Sequence, residues 1–164
     1  MSKVGDVKTA TIRIIKTLFN DQYVNKAALA NLRNAPKITS PRAENVWPVI
    51  LPCIPNNLLN IKNEPSWSEN AIYTATRLFA LYQQGNDDLV YAPVTQDAGE
   101  NVKPFFGALT MLRQDPEKQE ALDRRVQALL GNNNFEGMVQ AMTQLLSILK
   151  SSKLPIQVDF AKLA

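Results

Sequence analysis

The stretch Ser66-Trp67-Ser68-Glu69-Asn70-Ala71-Ile72-Tyr73-Thr74-Ala75-Thr76-Arg77-Leu78-Phe79-Ala80-Leu81-Tyr82-Gln83-Gln84 decides the fold class. Ala71, Ala75, Leu78, Phe79 and Tyr82 recur at helical spacing and line one face. Ser66 followed by Glu69 fits a capping box; alternatively Ser68 is the cap, with Trp67 stapled against Ile72. Gly85 supplies a stop.

Reading toward the C-terminus, residues 84–101 are polar and acidic (Asp87, Asp88, Asp97, Glu100) and have a long loop's composition. Three helices are predicted beyond it, at about 102–113, 116–130 and 135–150. The last carries Phe135, Met138, Val139, Met142, Leu145, Leu146 and Leu149 on one stripe. In the middle one Leu122, Val126 and Leu129 face inward, and Pro155 starts a new segment near the end. Toward the N-terminus, Ile12, Ile15, Leu18 and Phe19 share a helical face, and a short helix at about 26–34 is stopped by Pro36. Residues 46–55 hold three prolines and read as a buried, kinked short helix or turn, with Cys53 an inert core residue. No strand pair or repeat stands out. The expectation is an all-α protein: a compact helical bundle of about seven to eight helices. It forms one domain over 1–164, with the 84–101 loop the place for any subdivision.

The chain has 164 residues, 45% hydrophobic and 20% charged, which is enough to build a packed core without disulfides or metal. It contains no histidine and a single cysteine, so serine–histidine, cysteine–histidine and His- or Cys-cluster zinc chemistry are excluded. The six glycines are scattered, and no carboxylate pair sits in an apolar setting suited to acid–base work. Asp87-Asp88 reads as a solvated loop and Asp123 as a surface charge. The expectations are no catalysis, no cofactor, no metal site and no small-molecule substrate. The start lacks the apolar core of a signal peptide and the longest apolar stretch, near 46–54, is too short to span a bilayer. A cytoplasmic protein with no membrane contact is expected.

Charge supplies the positive signal. Up to residue 42 there are eight Lys and Arg against two Asp, a segment of +6 on a chain whose net charge is +3. Such asymmetry suits an anionic partner, or simply a solubilising surface. On the 26–34 helix, Lys26 and Arg33 fall together opposite Ala28, Leu29 and Leu32. Arg77 points away from Leu78, Phe79 and Tyr82, while Arg124 points outward and Arg125 lies on the flank of its helix. Spaced single cations neutralise a phosphate backbone without reading bases. They also describe ordinary amphipathic helices. Trp47 and Trp67 could stack on bases, though core or capping roles fit them better.

The series 26–33 (KAALANLR), Trp47-Pro48 to Pro55, and 75–85 (ATRLFALYQQG) resembles the CasB family. These are the small subunits of Cascade, the type I-E CRISPR surveillance complex. Phe106-Gly107-Ala108-Leu109, Asp123-Arg124-Arg125 before Leu129-Leu130, and Pro155-Ile156 to Leu163 continue the resemblance through nearly the whole chain. It implies a non-catalytic helical subunit, two copies of which pack head to tail along the complex beside other Cascade subunits and the crRNA. It also implies binding to the displaced single-stranded DNA, which stabilises the R-loop. By matching position the resemblance nominates Arg33, Arg124, Arg125 and Lys26 for backbone contact; Arg77, Lys103 and Arg113 join them on expected exposure. Family members usually continue into a longer final helix, which a chain stopping at Ala164 is expected to lack. The competing expectation is a helical protein–protein adaptor whose basic face docks on an acidic partner.

Overall fold

Helix formation starts where the sequence puts its strongest signal. In the computed structural model, which describes residues 2–60, 62 and 64–164, the Glu69 amide donates to the Ser66 hydroxyl at 3.1 Å and the Ser66 amide donates to the Glu69 carboxylate at 2.6 Å. This capping box satisfies amides that a first turn leaves orphaned. The same carboxylate accepts from the Asn60 amide at 3.1 Å, and the Ser66 hydroxyl donates to the Leu58 carbonyl at 2.7 Å. The preceding loop is thereby tied to the helix end. Trp67 forms no buried staple, being 78% exposed. At the other end Gly85 has φ 81°, a left-handed conformation that a side chain would strain.

Among the described residues the helices are α1 (Lys3–Leu18), α2 (Lys26–Arg33), α3 (Trp47–Ile50), α4 (Trp67–Gln83), α5 (Phe105–Arg113), α6 (Pro116–Leu130), α7 (Phe135–Ser151) and α8 (Phe160–Leu163). Short 3-10 turns cover Pro41–Asn45 and Leu51–Cys53. The chain divides into two units, Met1–Tyr91 with Phe160–Ala164 and Ala92–Asp159.

In the first unit α4 is central and packs against α1, α2 and α8. It is buried on most of its circumference, with Ile72, Tyr73, Thr76 and Ala80 inside as well as Ala75, Leu78, Phe79 and Tyr82. Its last side chain, Gln83, donates to the Asn86 and Asp88 carbonyls and accepts from the Val90 amide, fixing the start of the acidic loop. On α1 the buried face is Val7, Ala10, Thr11, Ile14, Ile15 and Leu18. Ile12 is only half-buried, so the core face is rotated from the expected one because Ile14, not Ile12, shares it with Leu18. The proline-rich stretch buries Val46, Ile50 and Ile54, one residue per turn, and leaves Cys53 half-buried rather than in the core.

The second unit stacks α5, α6 and α7, and contains a feature the sequence reading did not anticipate. β1 (Val102–Lys103) pairs in parallel with β2 (Gln157–Val158), Val102 opposite Gln157 and Lys103 opposite Val158. Pro104 explains the departure: a residue preceding proline is pushed out of the helical region, so α5 starts at Phe105 and residues 102–103 extend. Two-residue strands are too short to show an alternating pattern. The predicted stripe on α7 is buried at Met142, Leu145, Leu146 and Leu149, but Met138 is 37% exposed. On α6 only Leu122 is fully buried, with Val126 and Leu129 half-buried.

Candidate nucleic-acid interface

Seven cations were expected to form the site, and they are divided between the units. Lys26, Arg33 and Arg77 belong to the first; Lys103, Arg113, Arg124 and Arg125 belong to the second.

Asn25 starts α2 by accepting from the Ala28 amide at 3.0 Å. Ala28, Leu29 and Leu32 turn inward. That orientation leaves Lys26 exposed and Arg33 half-exposed on the other side, two turns apart. α4 reaches the end of α2 with two side chains one turn apart. The Tyr73 hydroxyl donates to the Ala35 carbonyl at 2.6 Å, and Arg77 Nη2 lies 3.4 Å from the Arg33 carbonyl. Carbonyls at a helix C-terminus lack intrahelical partners and favour a nearby cation, so this pair acts as a tertiary cap.

Arg77 therefore departs from its expected exposure. Its side chain is half-buried and its Nε is sealed from solvent without a hydrogen-bond partner, because α4 is buried nearly all round. Burial lowers its pKa, with the Tyr73 phenol acting in the opposite direction. Burial pushes the Tyr73 phenol up to about 12, against the opposing effect of the Arg77 charge.

In the second unit three of the four expected cations are engaged. Arg113, at the end of α5, makes a two-pronged contact with Asp123 on α6 at 2.7 and 2.9 Å. The hydrogen bond to Asp123 holds the guanidinium pKa above its ordinary value, and the reciprocal bond holds the Asp123 carboxyl below its own. Arg124 lies 3.4 Å from Glu120 in an exposed i,i+4 pair, and Arg125 donates to the Gln144 side chain on α7. Lys103 sits half-buried on β1 rather than on the expected helix.

The basic segment at the N-terminus differs in kind. Among the described residues none of Lys3, Lys8, Arg13, Lys16, Lys26, Arg33 and Arg42 has a carboxylate within ion-pair distance. Arg13 and Lys16 are exposed on α1, away from its core face, and extend the charge beyond the residues nominated from sequence. Their signal was present in the +6 count but not in any motif.

The family model for CRISPR-associated protein Cse2 matches residues 28–164. The chain belongs to the Cse2 family. Cse2, the CasB of the sequence resemblance, is a structural subunit of the CRISPR Cascade complex, and membership implies association with other Cascade subunits. No curated protein and no solved structure matches this Cse2 chain. Among the described residues the two buried carboxylates have structural partners: Glu69 closes the capping box, and Asp159 accepts from the Val94 amide at 2.9 Å. Among the described residues no three His, Cys, Asp or Glu side chains gather as a metal site, and no helix is long and apolar enough to cross a membrane.

Proposed function

We propose that this Cascade subunit binds nucleic-acid backbone without sequence preference and holds the displaced DNA strand of the R-loop, performing no catalysis of its own. The observation that carries the reading is the uncompensated charge of the N-terminal segment. Among the described residues seven of its cations lack carboxylate partners, whereas Arg113 and Arg124 in the second unit are paired. An unpaired cation needs no exchange of partners to meet a phosphate, so Lys26 and Arg33 lead the candidates. Arg124 and Arg125 follow; each must first leave Glu120 or Gln144. Arg113 and Lys103 rank lower, and Arg77 supports Arg33 from behind instead of touching the strand. R-loop formation is nearly balanced energetically, so a few such contacts tip it.

Binding of labelled single-stranded DNA, followed by anisotropy over a salt series, tests this. Each phosphate contact adds about 0.7 to the slope of log affinity against log salt for a single strand, so Lys26→Ala with Arg33→Ala flattens it by about 1.4. An unchanged slope removes these two residues from the interface, and no binding at low salt rejects the function.

A protein-docking role has its own support. Phe106, Met111, Leu130 and Met138, four of the large exposed apolar side chains, all lie in the second unit. We place contacts to other Cascade subunits, the crRNA-bearing body of the complex and a second copy of this chain on that unit. Loss of Cascade incorporation in Leu130→Asp, with DNA binding intact, tests the assignment.

A further inference from the structure

We propose that Trp67 and Tyr23 are stacking subsites for unpaired nucleobases, bracketing the Lys26–Arg33 pair. The inference rests on the backbone-binding reading above and adds a base-directed component to it.

Among the described residues of the first unit, these are the two exposed aromatic side chains, Trp67 at 78% and Tyr23 at 58%. A protein that could bury such rings ordinarily does so. Neither position is loose. Trp67 is the first residue of α4, between Ser66 and Glu69 of the capping box, whose carboxylate also holds the Asn60 amide. Tyr23 sits in the turn between α1 and α2, where the Asn20 side chain accepts from its amide at 3.0 Å and Phe19 bridges to Val24. Both rings project from fixed backbone, which suits recognition more than accommodation.

Tyr73 meets Ala35 while Arg77 meets Arg33, so α4 and α2 run antiparallel. Trp67 is ten residues before Arg77, about 15 Å along α4 and beyond the C-terminal end of α2. Lys26 is seven residues before Arg33, about 10 Å the other way along α2, and Tyr23 precedes it by three residues. Along the two helices the steps run aromatic, cation, cation, aromatic: about 15 Å of α4 from Trp67 to the Arg33 contact, about 10 Å of α2 from Arg33 to Lys26, and Tyr23 three residues beyond. Cations take the phosphates and flat rings take the base faces, an arrangement that tolerates any sequence. A base within a duplex has both faces covered, so the rings favour a displaced strand over paired DNA. Charge alone supplies no such preference.

The test compares a thymidine oligomer with an abasic strand of equal phosphate number, using the full chain. The wild type should bind the oligomer more tightly and show quenched tryptophan fluorescence on binding. Trp67→Ala should weaken oligomer binding by about 5- to 150-fold, Tyr23→Ala by a smaller factor, and Trp67→Phe should recover most of the loss. None should alter the abasic affinity or the salt slope. Equal binding of both strands, with no effect of Trp67→Ala, overturns the stacking subsites and leaves the backbone reading intact. Failure of the wild type to bind either strand at low salt overturns both. Loss of Cascade incorporation in Trp67→Ala with unchanged DNA affinity assigns the ring to a protein partner and rejects the inference.

Discussion

Replacing Phe160 by alanine should unfold the first unit at far lower denaturant than the wild type. Phe160 is 0% exposed, with its ring centroid 6.1 Å from that of Phe79 and 5.8 Å from that of Tyr82. The helix that carries it, α8, packs on α1 and α4, so the ring closes the core from a segment of only four helical residues. Truncating a fully buried phenylalanine costs about 3–5 kcal/mol, and two edge or tilted aromatic contacts place this site toward the upper end. With a urea m-value of about 2 kcal/mol/M, the midpoint falls by about 2 M. Both tryptophans, Trp47 and Trp67, lie in the first unit, so their fluorescence follows its unfolding directly. Leu130→Ala, at a site 80% exposed in the second unit, is the control and should move nothing. A midpoint shift under about 0.5 M for Phe160→Ala would refute the claim that α8 is integral to the first unit.

Ser66→Ala removes the acceptor for the Glu69 amide and leaves the Leu58 carbonyl without its donor, a loss of about 1–3 kcal/mol measurable by the same denaturation. Tyr73→Phe should destabilise by a similar amount, since the Ala35 carbonyl loses a 2.6 Å bond. The phenol is pushed up to about 12 in the folded chain, so its proton is held more tightly than when unfolded. The corresponding stability is full below pH 10 and is lost between about 10 and 12, and alkaline titration of Tyr73→Phe should show a shallower decline across that window. Asp123→Asn should release Arg113 and raise single-strand affinity at low salt by about threefold, whereas Arg113→Ala alone should leave it within about twofold.

The helices were legible because their signals are local. The Ser66–Glu69 signal caps α4, and in the structure Asp115 and Asn134 cap α6 and α7, helices that periodicity had already located. What sequence could not supply was the tertiary surroundings of each residue. A helical projection places Arg77 opposite Phe79 and reads it as solvent-facing; it cannot show that α2 covers that side and receives the guanidinium. Asp123 is the surface charge the sequence suggests, but its partner, Arg113, lies ten residues away on another helix, which no local pattern shows. Trp67 has the composition of a core residue, and only the choice of Ser66 over Ser68 as the cap turns it outward. The β1–β2 pair joins residues some fifty positions apart, beyond the reach of any window.

The first unit is discontinuous: its chain leaves at Tyr91 and returns at Phe160, with all of the second unit between. Translation imposes a timetable on such a layout. The 68 residues of the second unit occupy about 3–14 s at ordinary elongation rates. Throughout that interval the Phe79 and Tyr82 rings have been made while the ring that covers them has not. The nascent first unit waits, open and sticky, for its last few residues. The cell must shield that surface or risk losing the chain to aggregation before a single Cascade is assembled.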